Sequence, residues 1–141
     1  MIKTVRVFEK GSVTADVILE NTPQNVIMGG TSADVGIVMP GFCDRIRGEF
    51  KLLLVPQTFV GECKEAKLIT YGMSPQSLIT LSSVGEERCV MSVQKEICDM
   101  WGRAIEPQDI VISRMHLEPD AALATAAALL IVGAENFLWG I

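Results

Sequence analysis

The chain has 141 residues, 49% of them hydrophobic and 21% charged, with a formal net charge of −5 and a mean hydropathy of +0.35. That length fits one domain able to bury most of its apolar surface, and the acidic balance, with no cluster of Lys or Arg, excludes binding to nucleic acid by phosphate neutralisation. The large apolar share implies an unusually complete core or a surface given over to a partner.

In chain order, Thr4–Phe8 reads as a strand, followed by a turn at Lys10-Gly11-Ser12. Val13–Glu20 alternates, with Val13, Ala15, Val17 and Leu19 on one side, and its β-branched residues favour a strand. A helix capped by Ser12 is the alternative, because Val13 and Val17 are also four apart; Thr22-Pro23 ends either element. Val35–Met39, Leu52–Val55 and Leu68–Tyr71 are continuous apolar runs bounded by turn residues, the pattern of strands buried on both faces of a parallel sheet. Phe42–Phe50 and Thr58–Lys67 are read as short helices between them, which completes a βαβαβ rhythm.

The pattern then changes. Leu78–Val84, Cys89–Lys95 and Asp109–Ser113 are strands with short connections, one of them Gly85-Glu86-Glu87, so antiparallel pairing is expected. A helix follows, with Pro119 at its first position and Glu118 and Asp120 at its positive end. Its body, AALATAAALLIVGA, is apolar nearly all round and should be buried on more than one side, with Gly133 as its stop.

No repeat, low-complexity tract or linker interrupts residues 1–141, so a single continuous domain is expected. The opening MIKTVRVFEK has no apolar core of a signal peptide, and Ala121–Val132 is too short to span a bilayer; a cytoplasmic protein without membrane contact is the expectation. Cys43, Cys63, Cys89 and Cys98 form no CxxC pair and match no zinc spacing, so they read as reduced thiols and no metal is expected.

The stretches ADVILE, QNVIMGG and ADVGIVMPG, followed by KLLLVPQTF, KLITYGM and MHLEPDAALATAAALL, occur in an order that resembles the central ATPase domain of the Mur ligase family. Cyanophycin synthetase and folylpolyglutamate synthetase share that domain. The resemblance implies a Rossmann-like three-layer α/β fold: parallel strands, an antiparallel strand segment and a C-terminal Ala-rich helix. It places Glu20 on the family glutamate that helps hold magnesium and the γ-phosphate. Asp44 falls on the Asp of an Asp-His pair, with Arg45 in place of the His. His116 and Asp120 fall on the His and second Asn of the family's helix motif, and Leu117 replaces the first Asn.

The departures are specific. No Gly-x-x-Gly-Lys-[Ser/Thr] phosphate loop is present, and Pro56-Gln57 stands where the family has an acidic pair. Phosphoryl transfer depends on that loop's positioning and charge, so this chain alone is not expected to be a ligase. The expected function is a non-catalytic Mur-ligase-like module working through protein contacts, with a protein partner or a homo-oligomer and no bound cofactor. Two alternatives stand beside it. One is a nucleotide- or nucleotide-sugar-binding subunit completed by another chain, holding Mg-ATP weakly through Glu20, Asp44, His116 and Asp120. The other is a small-ligand sensor at the carboxyl ends of the parallel strands, lined by Asn21–Gly30, Pro40–Cys43 and Pro56–Phe59.

Overall fold

The computed structural model describes residues 3–9, 12–19, 25–27, 33–42, 46, 50–59 and 66–133. The strands are β1 (Lys3–Glu9), β2 (Ser12–Leu19), β3 (Asn25–Ile27), β4 (Ala33–Val38), β5 (Phe50–Pro56), β6 (Lys67–Gly72), β7 (Ile79–Val84), β8 (Arg88–Val93), β9 (Ile97–Cys98), β10 (Ala104–Ile105) and β11 (Gln108–Ser113), followed by helix α1 (Pro119–Ile131). Among the described residues nine strands form one sheet, ordered β3-β2-β1-β4-β5-β6-β7-β8-β11, while β9 and β10 pair separately.

The centre of the sheet, β1-β4-β5-β6-β7, is parallel, and both flanks are antiparallel. The sequence-based strands are all present, and the antiparallel segment follows the parallel one as expected. The helical alternative for residues 13–20 is overturned: residues 12–19 pair strand to strand with β1, Glu9 opposite Ser12. Two β-branched runs joined by a tight turn gain more by closing a ladder than by winding the second into a helix. Most of the two expected crossover helices, residues 43–45, 47–49 and 60–65, lies outside the described residues, as do Glu20, Asp44, Cys43 and Cys63.

One face of the sheet carries α1. Ala122, Ala124, Ala126 and Ala127 are fully buried there, and their small side chains let the helix backbone approach Ile69, Tyr71, Ile79 and Met91 closely. The helix ends at Gly133, whose φ of +79° closes the last turn with its N–H on the Leu130 carbonyl. The β9–β10 hairpin seals that end: the Met100 N–H donates to the Ile131 carbonyl and the Trp101 indole to the Val132 carbonyl, both at 2.9 Å. Asp99 holds the hairpin tip by accepting from the Trp101 and Arg103 N–H groups and from Arg103 Nε.

Among the described residues, the opposite face is covered over β1, β4 and β5. There Phe8, Val38, Phe50, Leu53 and Val55 are buried, with Phe42, Ile46, Phe59 and Ala66 packed on them. A β-carbon at Gly36 would overlap Leu53 Cδ2 and sit 3.1 Å from the Phe50 ring, so glycine is what lets these two large side chains lie flat on the sheet.

The join from β6 to β7 positions the site. Parallel neighbours ordinarily need a crossover of about a dozen residues or more, yet residues 73–78 suffice here. The ladder explains it, since Tyr71 and Gly72, at the end of β6, pair with Ile79 and Thr80, at the start of β7. The chain steps sideways without returning, and β7 continues beyond the edge where β4, β5 and β6 stop. Gln94 fastens the step, its Nε2 donating to the Pro75 and Ser77 carbonyls at 2.8 and 2.6 Å.

Candidate functional site

The stagger of β7 leaves a recess at the carboxyl ends of β4, β5 and β6, closed on one side by the first turn of α1. Its volume is about 420 Å³, within the range of small-molecule sites. Pro40 and Gly41 supply the wall after β4, Pro56, Gln57 and Thr58 the wall after β5, and Met73 and Ser74 the rim after β6; Asp120 and Leu123 come from α1. Each group arrives there for a local reason. Pro40 and Gly41 are the central residues of a turn closed by Phe42 N–H on the Met39 carbonyl, and the φ of +87° at Gly41 gives it the type II form.

Tyr71, the single tyrosine of the chain, forms the inner wall. Its ring is buried and its hydroxyl donates to the Val38 carbonyl at 2.6 Å, tying the ends of β4 and β6 across β5. Burial, and secondarily the negative charge of Asp120, push the phenol well above its ordinary value, so it remains a donor. Gln57 is equally fixed. Its Oε1 accepts from Ser77 Oγ at 2.9 Å and from the Ser74 N–H at 3.2 Å, which leaves Nε2 as the group it can offer a ligand.

Asp120 and His116 are not brought together. Asp120 stands on the recess, where its Oδ1 accepts from the Ala121 N–H at 2.8 Å. His116 is exposed on a second, smaller concavity of about 310 Å³, between the β7–β8 turn and the turn after β11, with Glu86, Glu87, Arg88 and Arg114. Met115 and His116 both have left-handed backbone, φ 53° and 58°. Arg114 holds that turn: its guanidinium donates to the Leu117 carbonyl at 3.2 and 3.1 Å and to the Gly85 carbonyl at 3.0 Å.

Strand direction bears on where β2, the strand before Glu20 in sequence, comes to its end. Because β2 runs antiparallel to β1, its last residue, Leu19, pairs with Lys3 at the start of β1. It therefore ends on the opposite edge of the sheet from the recess. The expected lining at residues 21–30 is corrected where it is described: Asn25–Ile27 form β3, beyond β2 and β1 from β4, about 14 Å away at the usual strand spacing. The expected linings at Pro40–Gly41 and Pro56–Thr58 do lie on the recess. Sequence reasoning did not place Tyr71, Met73 and Ser74 there; the available signal was a tyrosine closing a buried parallel strand just before Gly72.

No family model, curated protein or solved structure matches the chain. Among the described residues no helix is long and apolar enough to cross a membrane, and no group of three or more His, Cys, Asp or Glu is placed to hold a metal ion. The described residues of the recess do not fit Mg-ATP. None of them is Lys or Arg, and a carboxylate occupies the helix end where phosphates are usually held.

Proposed function

We propose that the chain is a binding module that takes a small molecule into the recess at the carboxyl ends of β4, β5 and β6. The observation that carries this reading is the recess itself, a concavity in the crevice that open α/β sheets use for ligands. Its polar groups are fixed in advance: Tyr71 by the Val38 carbonyl, Gln57 by Ser74 and Ser77. Fixed groups lose little entropy on binding. Binding is favoured over catalysis because Asp120 is the one Asp, Glu, His, Lys or Arg among the described residues of the recess, and no nucleophile with an adjacent base accompanies it there.

The likeness to the Mur ligase central domain and its three-layer arrangement belong to this proposal. The parallel centre with α1 on one face, and the cluster of Phe42, Ile46, Phe59 and Ala66 on the other, support them.

The test is thermal unfolding of the chain against a panel of small neutral, cationic and anionic molecules, with Thr58→Trp alongside. A ligand at ~100 times its dissociation constant adds about 2.7 kcal/mol, which raises the midpoint on the order of 3–6 °C for a domain of this size. Thr58 is exposed on the recess wall, so the indole fills the recess and should abolish the shift while the fold is kept. Equal shifts in Thr58→Trp would place binding elsewhere and sink the proposal.

A second reading, action through protein contacts as a scaffold or homo-oligomer, is favoured by Val111 and Leu68. They are 51% and 40% exposed on the sheet face that α1 does not cover. Sedimentation across a concentration range tests it; a monomer at every concentration, with no partner in pull-downs, counts against it.

A further inference from the structure

We infer that the recess selects a small organic cation, a protonated amine on a short apolar stem, with the ammonium held by the Asp120 carboxylate. This rests on the reading of the recess as the binding site and names the chemistry it accepts.

The position would ordinarily suit an anion, because a helix begins there and its first N–H groups and positive dipole end face outward. In α1 those resources are mostly spent, the Asp120 N–H excepted. Pro119 has no N–H, the Ala121 N–H donates to Asp120 Oδ1, and the Ala122 N–H donates to the Glu118 carbonyl at 2.9 Å. The Asp120 carboxylate then sets the sign of the site. Among the described residues it has no salt-bridge partner, and no Lys or Arg lines the recess to balance it. Its field reaches the inner wall, where it adds to the burial that keeps the Tyr71 phenol protonated.

The remaining surface fits the stem of such a ligand. Pro40 and Pro56 present aliphatic carbon, and Met73, 53% exposed at the rim, offers a flexible thioether that adapts to the stem. A carboxylate or phosphate would meet Asp120 with no cation among the described residues of the recess to offset it. A neutral molecule of the same shape would gain the apolar contact but not the charge-assisted hydrogen bond.

The experiment is calorimetric titration of the full chain with pentylamine, pentanol and pentanoate, repeated on Asp120→Asn and Thr58→Trp. Pentylamine should bind, pentanol more weakly and pentanoate not at all. Asp120→Asn should lower pentylamine affinity about tenfold, the range of a hydrogen bond to a charged group, and leave pentanol unchanged. If pentanol or pentanoate binds as tightly as pentylamine, or Asp120→Asn keeps the amine affinity, the cation inference is overturned; loss of binding in Thr58→Trp would then still support the recess. If no probe binds, or Thr58→Trp binds as the parent chain does, the recess reading falls and the inference falls with it.

Discussion

The two halves of the sheet are built to different rules. In the parallel half, β5 buries Leu52, Leu53, Leu54 and Val55 in succession, none more than 6% exposed. In the antiparallel half, β8 alternates, with Cys89, Met91 and Val93 buried and Val90 and Ser92 half-buried between them. Helix α1 packs against strands of both halves, so the difference comes from the other face. Phe42, Ile46, Phe59 and Ala66 cover it over β1, β4 and β5, whereas over β7, β8 and β11 it carries polar pairs such as Ser92 Oγ donating to Asp109. Continuous and alternating apolar patterns record how many faces are covered, and the recess lies where one regime hands over to the other.

Breaking the doubly covered half should have the largest effect. Leu53 is fully buried on the face away from α1. Leu53→Ala should cost about 2–5 kcal/mol, read as a lower urea midpoint with an unchanged slope. Tyr71→Phe at the handover should come next, at about 1–3 kcal/mol, because it leaves the buried Val38 carbonyl without its donor. It should also change the alkaline limb. The folded phenol holds its proton more tightly than the ordinary value of 10, so its contribution is complete below pH 10 and is lost as pH rises above that. The parent chain should weaken there, Tyr71→Phe should lack that component, and absorbance of the single tyrosine reports the ionisation directly.

Periodicity made the strands legible because it follows from burial, a property of each segment with its cover. Pro119, Asp120 and Gly133 made α1 legible because its ends are built from local chemistry. What stayed hidden depends on pairing partners. That β2 turns back on β1, and so ends opposite the recess, is written in the ladder between Glu9 and Ser12 rather than in either strand alone. The stagger of β6 against β7 is likewise invisible in residues 73–78. Of the expected site residues described, Asp120 lies on the recess and His116 on the other concavity. The resemblance had put both on one helix motif, but His116 sits in the turn before the helix and Asp120 in its first turn.

That turn gives a smaller effect of opposite sign. Met115 has left-handed backbone at φ 53° without a glycine to make it easy. The conformation costs an L-residue roughly 1–2 kcal/mol, partly offset on substitution by the greater unfolded-state freedom of glycine. Met115→Gly should therefore stabilise the antiparallel half by up to about 1 kcal/mol, seen as a higher midpoint. Destabilisation would mean that the Met115 side chain contributes more than its backbone strain takes away.

The smallest effect tests the comparison most directly, because it sets neighbours in one strand against each other. In β11, Ile110 pairs with Met91 and Val111 with Val90. Ile110 and Met91 point into the core, 3% and 0% exposed, while Val111 is 51% exposed on the far face. If that face is open to water, Val111→Lys should change stability by no more than about 0.5 kcal/mol, because the lysine charge stays hydrated and no packed atom is lost. Ile110→Ala beside it should cost about 2–5 kcal/mol. A large loss from Val111→Lys would show that the antiparallel half is covered on both sides after all. Whether that loss grows with protein concentration would separate a covering second copy from a cover within the same chain, because only association between copies follows mass action.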